Sequence, residues 1–384
     1  MTPRRFGMDR AWGERAARPL RLLAGPGAPP TPDELDALRD GLTRRDEPAA
    51  SLVQAVHASP DLSVTSLLRT LKASASDDAP EPVRRFLTHV LDRPSWVDDR
   101  LLERGARACR SYGMDAGLVL AYGSLLGGYR TAAALEPLVR TGRLSGGETL
   151  RRIQETSLWW RSVTAPGGLA PGGDGVLQTL HVRVMHALVN DRLAADPTWD
   201  HALRGLPINQ YDQASTLGVF STSFLLHLRL LGVRVPRADA EAVMHLWCYV
   251  GWLLGVDDRW LPRTERQGRR QLYHFLSLDP PPDANSVALA RALIAMTDEV
   301  VTGRFRRRYE RERALSVSTW LLGPAAMRDL GLPARLPWYG LARVAANLVM
   351  SQGLGRLPGG RSMLLARSER QARAQFARWG AALP

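Results

Sequence analysis

Apolar residues recur at three- and four-residue spacing through Glu148–Val163, Leu177–Leu193, Ala214–Leu231, Ala238–Leu254 and Val287–Val301. That is the period of helices with one face turned to a core. The same spacing begins at Asp61–Leu68 and Glu81–Leu87, with a loop over Ala73 to Pro80 between them, and again at Asp98–Tyr112. Upstream, Thr31-Pro32-Asp33-Glu34 supplies an N-cap, a proline for the first turn and two acids beside the positive end of a helix dipole. Strict alternation bounded by hairpin turns is nearly missing. The pattern predicts an all-α protein of about 12 to 16 helices, built as one large helical domain. Its expected parts are a mobile Pro/Gly/Arg-rich tail (1–31), an N-terminal helical cap (32–84), a helical core (85–340) and a basic C-terminal helical extension (341–384).

Composition narrows the class. With 384 residues, 45% hydrophobic and 23% charged, the chain can bury a sizeable core and is not disordered throughout. Its two cysteines, Cys109 and Cys248, rule out a disulfide scaffold and leave the redox compartment open. The formal charge is +13, yet Lys72 is the sole lysine among 51 basic residues. Arginine bias alongside abundant Ala and Gly reads as compositional background, so no nucleic-acid partner is expected. Arg4-Arg5 could open an export signal, but acids and arginines interrupt the stretch after it, and the expected location is cytoplasmic.

The longest apolar run, Met244 to Val256, is about 13 residues, too short to span a bilayer and suited to a buried helix. Arg361 to Trp379 alternates arginine with apolar residues. That stretch reads as a solvated amphipathic helix, or as a peripheral contact with an anionic membrane. A monomer is the default expectation.

Several catalytic signatures are missing from the sequence: a phosphate-loop motif, H-E-x-x-H, C-x-x-C, paired E-x-x-H and G-x-S-x-G. What remains is a cofactor or binding role, and histidines to serve it. His181 and His186 lie on one predicted helix about 140° apart, so an unbroken helix cannot aim both at one metal. A haem needs only one axial histidine. On the preceding helix Arg152 and Thr156 share a face, and the turn Ala165–Gly173 reverses the chain between the two helices. Thr156 stands about 13 Å before that turn and His186 about 17 Å after it, comparable heights if the helices pack antiparallel. The small residues of Leu125–Ala132 would allow close helix–helix or helix–cofactor packing.

Four motifs occur in order: Arg152–Thr156 with the glycine-rich turn, Arg183–Ala187, Leu206–Thr216 and Tyr249–Val256. Together they resemble the latex clearing protein (rubber oxygenase) family and its relative, the mycophenolic-acid-pathway (MpaB-type) oxygenase, over roughly residues 85 to 340. The resemblance implies a globin-like core around haem b and cleavage of a carbon–carbon double bond of an isoprenoid with O2. It makes His186 the iron ligand through one ring nitrogen, with an acceptor holding the other. It puts Arg152 and Thr156 on the distal side and Thr216 in the cofactor region, with Arg183 as a propionate partner. Glu136 becomes a functional carboxylate, although its place before Pro137 also suits a helix-end residue paired with Arg140 or Arg130.

Two positions depart from the family: Glu155 stands where rubber-degrading enzymes carry a lysine, and Asn190 where a second arginine is common. Because no export signal is expected and an intracellular enzyme would not meet bulk rubber, the implied substrate is a smaller hydrophobic alkene or terpenoid. The rival readings are a non-catalytic haem-binding or gas-sensing protein, and an Arg-rich helical protein for nucleic acid or anionic membrane.

Overall fold

The computed structural model describes residues 2–59, 80–141 and 148–378. The pattern at Asp61–Leu68, the loop from Ala73 up to Pro80 and Trp379 fall outside the described residues. The longer helices are α1 (Arg10–Ala24), α2 (Pro32–Gly41), α3 (Glu47–Ala58), α4 (Glu81–Leu91), α5 (Asp99–Ser111), α6 (Gly113–Leu118), α7 (Glu136–Arg140), α8 (Glu148–Val163) and α9 (Asp174–Ala194). They continue with α10 (Gln210–Gly218), α11 (Phe224–Leu230), α12 (Arg237–Leu253), α13 (Glu265–Leu278), α14 (Ala284–Val300), α15 (Arg304–Asp329), α16 (Trp338–Asn347) and α17 (Gly360–Arg378). No strand occurs among the described residues, as the periodicity requires.

Helix α12 carries most of the longest apolar run and lies at the centre. Leu246, Trp247, Val250 and Leu253 are all fully enclosed, the state expected of a helix apolar on every side. Helix α5 crosses it closely at Gly105, where a Cβ would stand 2.4 Å from the Ala242 carbonyl oxygen.

Two helical stretches carry π turns. One, Val119–Leu125, comes directly after α6, and the other, Val219–Ser223, separates α10 from α11 inside the predicted Ala214–Leu231 helix. Hydroxyls feed the second break: Ser221 Oγ donates to the Leu217 carbonyl at 2.8 Å, a back-bond that bends helices. Such π insertions gather at functional sites, and both contribute residues to the wall of the central cavity.

The tail expected over residues 1–31 is instead folded onto the body. Asp9 caps α1 by accepting from the Trp12 amide at 2.9 Å. Gly13 then rests on the backbone of Ser277 in α13, where a Cβ would be 2.2 Å from the carbonyl oxygen. Ahead of the helix, Arg5 is 4% exposed and donates to both Asp212 oxygens, at 3.1 and 2.6 Å. Proline, glycine and arginine content signals a tail only when nothing waits to pair with the arginine.

Buried Asp279 lies in the same knot. Desolvation, reinforced by Asp212 and opposed by Arg5, pushes its carboxyl up to about 7. The fold therefore favours the protonated form, a preference fully present below the unfolded value near 4 and lost as pH rises through about 7. Asp279→Asn is expected to stabilise the protein at pH 8 by on the order of 1–3 kcal/mol, with the gain vanishing toward pH 4. Urea unfolding at both pH values measures it.

At the other end α17 is docked. Arg361 pairs with buried Asp239, Arg161 reaches Glu369 at 2.6 Å, Ser368 Oγ donates to the Arg110 carbonyl, and Phe376 is buried. Its Ser368 and Phe376 side is turned inward, whereas Arg367, Arg370 and Arg373 stay exposed on the outer side. No helix among the described residues is long and apolar enough to cross a membrane.

Candidate active site

The helices line a partly open cavity of about 2230 Å³, against the 300–1,000 Å³ usual for a small-molecule site. Helix α9 shows how its wall arises. Leu177, Gln178, His181, Val182, Met185, Val189 and Arg192 form one helical face on the cavity, while Val176, Leu180, Val184 and Ala187 are buried behind it. Serving core and cavity at once leaves α9 apolar on two sides. His186 stands at the margin of the cavity face and His181 nearer its middle; both border the cavity, although their 140° separation holds.

His186 Nδ1 is buried and has no hydrogen-bond partner among the described residues. Burial pushes the imidazole down to about 4, against the pull of Asp46. At neutral pH the ring is uncharged and keeps a lone pair for a ligand. An unsatisfied buried nitrogen costs about 1–3 kcal/mol. Among the described residues no group of three or more His, Cys, Asp or Glu converges.

Arg183 lies behind His186 and off the cavity wall, which corrects its expected role. Its Nε and Nη2 donate to Asp46 at 2.6 and 2.8 Å, and its Nη1 reaches the Leu253 carbonyl at 3.4 Å. The carboxylate its fork binds belongs to the protein. Gly255 makes room for the pair: its φ is +82°, and a Cβ would lie 2.2 Å from Asp46 Oδ2.

Arg152 and Thr156 project from α8 onto the cavity beside Glu155. Trp159 Nε1 donates to Thr179 Oγ1 at 3.0 Å and ties α8 to α9. From that rung Arg152 and His186 are each seven residues along their helices, about 10 Å, whereas Thr156 is three residues along, about 5 Å. Arg152, rather than Thr156, is level with His186. Burial raises the phenol of Tyr129 despite the Arg152 guanidinium at its side. Glu155 accepts from Arg151 at 3.1 Å.

Thr216 also lines the cavity, its hydroxyl bonded back to the Asp212 carbonyl at 2.9 Å. The motif around it is a polar knot. Gln210 binds the Gly255 carbonyl and the Asp257 amide, and Asn190 accepts from the Ile208 amide at 3.0 Å.

Glu136 is off the cavity wall, although Leu135 and Pro137 line it. Its carboxylate accepts from Arg140 at 2.8 Å, faces Arg204 at 3.4 Å and accepts from Asn285 at 3.3 Å. This is the helix-end pairing, and it corrects the expectation of a base in the pocket.

Other wall residues escaped sequence reasoning. Trp159, Phe220 and Trp247 form an aromatic cluster with centroids 5.2–5.8 Å apart. His227 Nδ1 lies 3.1 Å from Ser223 Oγ, itself 3.1 Å from Ser124 Oγ, and burial pushes this ring down to about 4 as well. The i,i+4 spacing of Ser223 and His227 was the available signal. Arg192, on the same α9 face as His181, was another.

The site is a large, mostly apolar cavity in a helical shell, with a neutral, partly unsatisfied histidine on its wall. Among solved structures, latex clearing protein in the closed state shares this fold, with a TM-score of 0.68 at 24% identity over 86% of this chain and 91% of that one. The chain belongs to the family described as "ER-bound oxygenase mpaB/B'/Rubber oxygenase, catalytic domain", whose model matches residues 110–350. It is 29% identical over 233 residues to a rubber oxygenase of Streptomyces sp. (strain K30), a match covering 59% of this chain and 56% of that protein. The match thus spans little more than half of the relative's length.

Proposed function

We propose that the chain is a haem b-dependent oxygenase acting with O2 on a hydrophobic alkene or terpenoid-like small molecule. The observation that carries this reading is the buried, unpartnered Nδ1 of neutral His186 at the wall of a cavity larger than one ordinary ligand needs. Family membership supports it. When bound, the haem supplies iron that activates O2.

The chain's own residues do the rest. His186 offers an uncharged nitrogen to the metal. Arg152 and Arg192 bring positive charge to the wall for carboxylate groups, the part that Arg183 was expected to play. Trp159, Phe220 and Trp247 exclude water and hold an apolar chain. Thr156 and His227 supply the polar contacts that would orient the substrate.

Expression with a haem precursor followed by an absorbance scan tests the reading. A Soret band at about 400–415 nm is expected, with O2 uptake on terpenoid alkenes and carbonyl products in mass spectra if the double bond is cleaved. A folded, colourless protein would overturn it. Pigment with no uptake across an alkene panel would favour the gas-sensing reading.

A further inference from the structure

Helix α16 runs on into a π turn, Leu348–Gly353, and the outer face of this rod is apolar. Trp338, Leu341, Ala345, Leu348 and Val349 recur at helical spacing and are all exposed, Val349 to 66%. Its inner side explains the docking. Gly340 seats on Trp320, where a Cβ would stand 2.5 Å from the side chain, and Arg343 grips Asp115 at 2.9 and 2.8 Å. Amphipathic helices of water-facing surfaces do the reverse, with charges outside and apolar residues inside.

The start of α15 extends the same surface. Phe305 is 87% exposed, and Tyr309, one turn on, has its ring 5.9 Å from Trp338. Arg304, Arg306 and Arg308 flank these rings, all exposed, while Arg307 points to the opposite side of the helix and donates its Nε to the Val301 carbonyl. Two acids of the same helix are engaged elsewhere: Glu310 by Arg313 at 2.6 Å and Glu312 by Arg335 at 2.7 Å. Exposed aromatic and aliphatic side chains among unneutralised arginines form a surface complementary to anionic lipid. A second copy would set arginines against arginines across a two-fold axis. A nucleic acid would leave Phe305 and Val349 uncovered.

We infer that the α15–α16 face docks the protein peripherally on an anionic lipid surface. Arg306, Glu310, Arg313 and Tyr339 of these same helices also line the cavity, so docking brings the cavity wall within about one helical turn of the lipid. The inference stands on the surface alone and is independent of the oxygenase reading.

Co-sedimentation of the full chain with phosphatidylcholine vesicles, with and without about 30% phosphatidylglycerol, tests it. Binding is expected to the anionic vesicles and to fall steeply with salt. The exposed triple variant Phe305→Ser, Trp338→Ser, Leu341→Ser should partition at least about tenfold less. Replacing Arg304 and Arg308 by Gln should cost about fivefold per arginine. Arg370→Gln with Arg373→Gln on α17 should bind as the parent does. Circular dichroism confirms that each variant is folded. No binding to anionic vesicles at low salt would overturn the inference, as would equal binding by the α15–α16 variants. So would a dimer in light scattering that the apolar variant dissolves.

Discussion

His186→Ala is expected to fold and yet lose the Soret band, with haem affinity reduced more than about 100-fold, while His181→Ala keeps the pigment. The two histidines border the same cavity five residues apart, so this pair separates ligation from mere proximity. Burial holds His186 neutral down to about pH 4, and no proton competes for its nitrogen in neutral buffer. Far-UV circular dichroism should match the parent, because the alanine removes a ring that has no hydrogen bond at Nδ1 among the described residues. Haem-reconstitution titrations followed at the Soret maximum measure the affinity. Full retention of pigment in His186→Ala, with loss in His181→Ala, would move the ligand to His181 and leave the cavity reading intact. Retention in both variants would remove axial ligation by either histidine.

Gly255→Ala should lower stability by about 3–5 kcal/mol, or prevent folding at 37 °C. The added Cβ would come within 2.2 Å of Asp46 Oδ2 and 2.8 Å of Arg183 Nε, at a φ of +82° that side chains rarely adopt. Removing one partner of a buried ion pair has a similar effect, because the other is left charged and unpaired. Asp46→Ala should therefore match Gly255→Ala. The double variant should cost well below the sum, since both changes destroy one interaction. Urea unfolding of the three proteins gives the cycle. Additive losses would show that Gly255 serves something other than this pair. A loss under about 1 kcal/mol for Asp46→Ala would show that Arg183 finds another acceptor.

Periodicity in the sequence carries the helical architecture, and for α9 it carries half the site, because cavity and core both leave a 3.6-residue trace. It could not show the π turns, which shift the register they interrupt: Ala214–Leu231 reads as one regular helix and folds as one with a π turn at Val219–Ser223. The family motifs lead to His186, Arg152, Thr156 and Thr216, all on the cavity wall. They mislead at Glu136 and Arg183, whose salt-bridge partners are set by tertiary contact. Arg183 meets Asp46, 137 positions away, and no local spacing announces that. Arg5 deceives for the same reason, since only Asp212 makes it a buried residue. The cap Asp9 and the small or apolar residues Ala17, Leu20 and Ala24 do announce α1, but the prolines, glycines and arginines around them carry the opposite signal.

The Arg5–Asp212 pair, separated by 207 positions, and the seat of α1 on α13 impose an order on biosynthesis. Arg5 and Trp12 emerge first, yet the surfaces that receive them are translated far later. At roughly 5–20 residues per second the start of the chain waits about 10–50 s for its docking site. During that interval Trp12 is uncovered on the nascent chain, a natural foothold for a ribosome-associated chaperone. Closing this long loop should then be among the final events of maturation.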